Sequence, residues 1–175
     1  TDFSPTGSAT YYAYDADSNQ IALQNPRQFT TYYHYDPLNR RDRVQDALLG
    51  VQYFAFDSVG NTIRQTDQDG NATYFEYDAM NREKRRVDAL GSQWLKFYDS
   101  MGNLIQQQPP VGGNNSWSYD RLSRLAYNSN GVGDTTSYQY DAASNSTSIR
   151  SPRGYYTTFG YDALNRQNRS LNAVG

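Results

Sequence analysis

Thr31-Tyr32-Tyr33-His34-Tyr35-Asp36-Pro37-Leu38-Asn39-Arg40 is the stretch that decides the fold. Thr31, Tyr33 and Tyr35 recur at a period of two and are β-formers, so they share one face of a strand. Asp36 then opens a four-residue turn. Its carboxylate can accept hydrogen bonds from the backbone amides that follow, and Asn39 at the fourth position tolerates the left-handed conformation that lets a partner strand begin.

The same signal returns on either side of this stretch at one constant step. An aromatic precedes aspartate at Tyr14-Asp15, Tyr35-Asp36, Phe56-Asp57, Tyr77-Asp78, Tyr98-Asp99, Tyr119-Asp120, Tyr140-Asp141 and Tyr161-Asp162, without insertion or deletion. Such a register is a repeat array. Two residues earlier stand Tyr12, Tyr33, Phe54, Phe75, Trp117, Tyr138 and Phe159, with Lys96 out of line. Thr10, Thr31, Thr73, Thr136 and Thr157 lie two further upstream. Helical spacings do not recur in register, so the array is β. About ten residues after each motif comes a second turn signal, often with proline second and with glycine fourth, the type I signature. Its glycines are Gly7, Gly70, Gly91, Gly112, Gly133, Gly154 and Gly175. Each repeat is thus two short strands and two turns. The expected organisation is one array over residues 1–175, with repeats starting at 14, 35, 56, 77, 98, 119, 140 and 161. A partial repeat occupies 1–13, and the whole is expected to be an excerpt of a longer chain.

A coarser regularity overlies the first. Ser18-Asn19, Gly60-Asn61, Gly102-Asn103 and Ser144-Asn145 alternate with Asn39-Arg40, Asn81-Arg82, Ser123-Arg124 and Asn165-Arg166. Ile21, Ile63 and Ile105 fall in the first set; Asp42, Lys84 and Ala126 are their counterparts in the second. The alternation predicts two hairpin environments in a unit of two repeats, with opposite turns on different rims. Between the aromatics of successive repeats, such as Trp117 and Tyr138, the intervening strand is expected to place Leu125 or Tyr127.

Composition agrees with an extended wall. The chain has 175 residues, of which 37% are hydrophobic and 15% aromatic, 17 of them tyrosine. Disordered chains lack aromatics, so disorder is disfavoured. Aliphatics are too few to cover both faces of a sheet. About 16 strands at roughly 4.8 Å make a sheet near 80 Å wide, and open sheets rarely exceed about 10 strands without curling. A net charge of −2 argues against nucleic acid as a partner. The absence of cysteine excludes disulfides and thiolate zinc sites, and a single histidine, His34, excludes two-histidine mechanisms. No stretch is apolar enough for a membrane-spanning helix, and no membrane insertion is expected in this segment.

The Tyr-Asp pairs, the Asp-x-x-Gly-Asn and Asp-x-Leu-Asn-Arg turns and the spacing near 21 resemble the YD repeats of Rhs proteins, insecticidal toxin-complex C subunits and teneurins. The resemblance covers essentially the whole chain. It implies antiparallel hairpins in one long sheet that spirals into a hollow shell and, in bacterial members, a C-terminal toxin held inside and released after self-cleavage. The sequence departs from that pattern in showing no self-cleaving C-terminal core and no variable toxin region.

Other readings of the same residues are weaker. Asp67-Gln68-Asp69-Gly70-Asn71 places glycine fourth, where a calcium-binding EF-hand loop needs it sixth, so turn capping is preferred to metal binding. Carboxylates repeated eight times are architecture, since catalysis needs one asymmetric site. The aromatic stripe reads as a cross-strand ladder, with sugar stacking as the sharper alternative. His34 and Glu83-Lys84-Arg85-Arg86 read as surface, and four Asn-x-Ser/Thr matches are expected by chance in so polar a chain.

The sequence therefore predicts an all-β array of antiparallel hairpins forming a curled sheet, shell or tube. Its expected role is non-enzymatic, without cofactor, metal or catalytic residue: a wall segment of an extracellular or cell-surface shell. The expected partners are an enclosed polypeptide cargo or further repeats of the same protein. The alternative is a filament or adhesin whose aromatic face contacts glycans or neighbouring chains.

Overall fold

A computed structural model describes residues 9–172. Every regular element among them is a β-strand. The chain divides into two compact units, Thr1–Ser92 and Gln93–Gly175. The first holds β1 (Tyr11–Tyr14), β2 (Gln20–Gln24), β3 (Thr30–Tyr35), β4 (Arg41–Gln45), β5 (Val51–Phe56), β6 (Thr62–Thr66), β7 (Ala72–Tyr77) and β8 (Glu83–Val87). The second holds β9 (Gln93–Tyr98), β10 (Leu104–Gln108), β11 (Asn115–Tyr119), β12 (Leu125–Ser129), β13 (Thr135–Tyr140), β14 (Ser146–Arg150), β15 (Tyr156–Tyr161) and β16 (Gln167–Asn172). Within each unit every strand pairs antiparallel with the next in chain order. The result is an all-β hairpin array.

Both kinds of turn share one construction. In the motif turns, Asn39 N donates to Asp36 O at 2.9 Å while Asp36 N donates to Arg40 O at 2.9 Å. In the second turns, Gly133 N donates to Asn130 O and Asn130 N to Asp134 O, at 2.9 and 3.0 Å. This is a type I turn followed by one left-handed residue, a standard three-residue hairpin loop. The fourth residue has φ of 58° at Asn39, 84° at Gly70, 79° at Gly91, 91° at Gly112, 88° at Gly133 and 87° at Gly154. Gly7 and Gly175 lie outside the described residues. Gln28 and Leu49 occupy the same position at φ 65° and 68°, two second turns that carry no glycine to announce them. The connection from Pro109 to Gly112 lacks the closing pair of bonds found in the others; Pro109 has no N–H to donate for the first of them.

Each motif hairpin carries a β-bulge next to its turn. Tyr35 faces Arg41 and His34 faces Arg43, so Asp42 is the extra residue. The same count makes Ile21, Ile63, Lys84, Ile105, Ala126, Thr147 and Asn168 the extra residues elsewhere. This is the column in which the isoleucines alternate with other residues. Each lies against the residue before the motif aromatic, and several such pairs match in character. Asp42 meets His34 at 2.6 Å and Lys84 meets Glu76 at 3.7 Å. Ile21 and Ile63 lie by Ala13 and Ala55, and Asn168 by Gly160, whose missing Cβ leaves room for the amide.

No hydrophobic side chain is buried among the described residues; Thr66 and Ser148 are the buried ones. The array is therefore held by ladder hydrogen bonds and half-buried cross-strand pairs, each pair worth about 0.2–1 kcal/mol. On the motif face Trp117 faces Asn128, which accepts a hydrogen bond from Tyr138 Oη at 3.1 Å, and Tyr119 faces Leu125. Leu125 thus stands where the sequence puts it. Tyr127 does not: it faces Ser118 and Ser137 and so belongs to the opposite face, 45% exposed.

Candidate functional site

The motif residues converge along one edge of each unit. Each odd-numbered strand ends on the motif aromatic (Tyr14, Tyr35, Phe56, Tyr77, Tyr98, Tyr119, Tyr140, Tyr161), and the following aspartate begins the turn. Because these turns always join an odd strand to the next even one, they all lie on the same edge within a unit. The alternation between successive repeats is thus internal to one rim, and does not place the two turn classes on different rims.

Every motif aspartate is used in the same way. Asp36 Oδ1 accepts the amides of Leu38 and Arg40 at 2.9 and 3.0 Å, and Oδ2 accepts Arg40 Nε at 2.7 Å. Asp57 Oδ1 accepts Val59 N and Asn61 N, and Oδ2 accepts Asn61 Nδ2 at 2.9 Å. Asp15, Asp78, Asp99, Asp120, Asp141 and Asp162 repeat one scheme or the other. These bonds hold the carboxyl groups below the usual carboxylate range. The side-chain donor four residues on is the largest cause for Asp15, Asp36, Asp57, Asp78, Asp99 and Asp141. At Asp120 the opposing desolvation is the largest contribution, and the donated bonds still outweigh it; at Asp162 the amide of Arg166 leads. Asp67, in a second turn, is lowered mainly by Asn71. Its oxygens are taken by Asp69 N, Asn71 N and Asn71 Nδ2, which is the turn-capping role.

In six of the eight motif turns the fifth residue also reaches the next repeat, and here the alternation acquires its reason. Asn19 Nδ2 donates onward to Asn39 Oδ1 at 2.9 Å, Asn61 to Asn81 at 3.0 Å, Asn103 to Ser123 Oγ at 3.3 Å and Asn145 to Asn165 at 2.9 Å. An asparagine link needs a side-chain acceptor at the fourth position of the next turn. Arg40 Nη1 instead donates to the main-chain oxygen of Asp57 at 2.8 Å, and Arg124 Nη1 to that of Asp141 at 2.9 Å. An arginine link needs no such side chain, so Gly60 suffices. Each of these guanidinium groups also lies over the next motif ring, Phe56 or Tyr140, 4.7 Å from its centroid. Tyr35, Tyr77, Tyr119, Tyr140 and Tyr161 donate their hydroxyls to backbone oxygens fifteen positions earlier, at 2.9–3.1 Å. Desolvation, reinforced by Tyr138, pushes the Tyr140 phenol above its ordinary value. Carboxylates are spent on closing the turns, and donors and rings on joining repeats.

The face opposite the motif rings carries a column outside the motif reading. Tyr11, Tyr32, Tyr53 and Tyr74 also recur once per repeat and are 64%, 54%, 51% and 49% exposed. A position-by-position alignment of the repeats contains this column. It stays hidden while the search is for rings on one face.

Comparison with known proteins matches residues 56–93 to the RHS Repeat family. Those residues hold two consecutive motif turns of the kind just described. Residues 56–93 are thus similar to the RHS repeat. No curated protein sequence matches the chain. Among solved structures, a Photorhabdus luminescens Tc holotoxin pore bearing a TccC3 mutation is similar at 17% identity and TM-score 0.72. TcdB2-TccC3 is similar at 18% identity and 0.74, and the same complex without its hypervariable C-terminal region at 16% and 0.74. Each match covers 94% of this chain and 10% of the other, so this chain spans about a tenth of the length of those it matches. At these identities the likeness establishes the fold, a repeat array of antiparallel hairpins.

Proposed function

We propose that this RHS-repeat scaffold is a non-enzymatic wall segment of an exported or cell-surface shell that encloses a polypeptide cargo. One observation carries the reading: the groups able to do chemistry on the motif edge are consumed in closing the turns and in linking one repeat to the next. The motif carboxylates accept three or more internal bonds, the arginines bind main chain and rings, and most of the motif hydroxyls donate to backbone. What such an edge produces is continuity along the sheet. The structures similar to it support a containing role, since TcdB2-TccC3 has been solved together with Cdc42 and also without a hypervariable C-terminal region. Further repeats of the same protein would complete the wall. Electron microscopy of the particle formed by the polypeptide that bears this segment tests the proposal, combined with protease treatment. A hollow particle protecting an internal segment supports it. An open filament with every segment accessible overturns it in favour of an adhesin-like array.

A further inference from the structure

We propose that the exposed tyrosine face of the first unit binds an extended acidic polysaccharide with one carboxylate per disaccharide. Such binding needs only that this face be open to solvent, and it goes beyond the role proposed for the scaffold. On this face the register places Tyr53 beside Arg43 and Tyr74 beside Arg64, directly across the strand pairs. Tyr32, Arg43, Tyr53, Arg64 and Tyr74 therefore follow one another across β3 to β7. Arg43 and Arg64 are exposed and have no carboxylate partner among the described residues; the guanidinium of Arg64 lies 5.7 Å from the centroid of the Tyr74 ring.

Three open depressions recur along this face in step with the repeat. The first, about 400 Å³, lies between Tyr32 and Arg43. The second, about 450 Å³, lies between Tyr53 and Arg64, and the third, about 470 Å³, between Tyr74 and Arg85. Arg85 is engaged by Glu76, so the first two subsites offer the free positive charge. Each depression joins an aromatic ring to a cation.

The spacing selects the ligand. Tyrosines on alternate strands stand two strand spacings apart, about 10 Å. An extended β-linked disaccharide is of similar length and presents the same face of every second ring. A sugar ring then stacks on each tyrosine while the carboxylate of its neighbour meets the intervening arginine in a charge-assisted bond. Single-stranded nucleic acid fits less well. It brings a phosphate with every nucleotide, whereas this face has two free cations, with Glu76 and Asp42 close by.

The test is titration of the full chain with a hyaluronan decasaccharide, an alternating uronic acid polymer, alongside neutral cellohexaose and a decameric oligo-dT. Hyaluronan is expected to bind in preference to both. Arg43→Gln and Arg64→Gln should each weaken it about tenfold, the factor of one charge-assisted hydrogen bond, and flatten its salt dependence. Tyr53→Ala should weaken binding by a similar factor, and Tyr53→Phe should restore it because the ring is kept. Tyr127→Ala, on the second unit, should change nothing. All four side chains are exposed, and an unchanged unfolding midpoint verifies that each variant is folded. Equal binding of cellohexaose, preference for oligo-dT, or no binding of hyaluronan each overturns the proposal.

Discussion

The two edges of the array are built from the same turn and stabilised by different means. On the motif edge a side chain four residues into the turn both closes its own loop and grips the next repeat, by asparagine or arginine in alternation. On the opposite edge the turns close mainly on themselves. The connections between neighbours there are dissimilar: Gln68 Nε2 donates to Asp46 Oδ2 at 2.6 Å, and the backbones of Gly113 and Gly131 approach so closely that a Cβ on Gly113 would lie 1.7 Å from Gly131 O. Sequence follows mechanism. Where a side chain bridges repeats the residue type is restricted; where the turn is capped only by its own first residue, glutamine, leucine and glycine all occupy the left-handed position.

Acid should break this contrast most strongly, because it acts on every motif turn at once. The motif aspartates have folded pKa values below 3.8, so their contribution is complete above that value and is lost as pH falls through the lowered ones. The thermal midpoint should therefore be flat from pH 7 to about 5 and fall steeply below about 4. Hydrogen exchange at low pH should open motif turns such as 57–61 before second turns such as 130–134. Simultaneous opening of both edges would remove the distinction.

Arg124→Ala comes next. It deletes the bonds to Asp120 and Asp141 and the cation over Tyr140, at a cost of about 1.5–3 kcal/mol by the usual value of hydrogen bonds to charged groups. Denaturant unfolding measures this, and exchange protection should drop in β11 to β14 with little change at β9. Gly133→Val sharpens the other side. Nothing lies within 4 Å of a Cβ there, so the penalty is pure backbone strain at φ 88°, about 1–2 kcal/mol. Gly133→Asn should recover part of the loss; equal loss for both would point to packing instead. Gln68→Ala is the smallest, about 0.5 kcal/mol or less for one exposed bond. A cost equal to that of Arg124→Ala would make the two edges equivalent.

Strand periodicity, turn positions and aspartate caps are legible in the sequence because each is a local property of a few consecutive residues. The bulges are not, since a skipped residue such as Ile63 looks like an ordinary strand position until its partner is known. The alternating columns are equally opaque to local reading. Asn39 and Gly60 differ because of what the preceding turn asks of them, and that demand comes from a residue about twenty positions earlier. Simple strand counting puts Tyr127 between Trp117 and Tyr138, but the bulge at Ala126 shifts the count and Asn128 takes that place. Leu49 shows the converse limit: three-residue loop geometry imposes a left-handed residue even where its side chain is ill suited.

The alternating links also constrain how such a chain can change length. An asparagine turn must be followed by a turn offering a side-chain acceptor, while an arginine turn can be followed by glycine. Loss or duplication of two consecutive repeats keeps every donor facing its proper acceptor. Loss of residues 35–55 would leave Asn19 reaching toward Gly60, which has no side-chain acceptor, whereas loss of residues 119–139 would leave Asn103 facing Ser144, whose hydroxyl can accept. The residue at the fourth position of a turn thus decides which kind of repeat can stand before it: Gly60 admits an arginine turn, and a serine or asparagine there admits either.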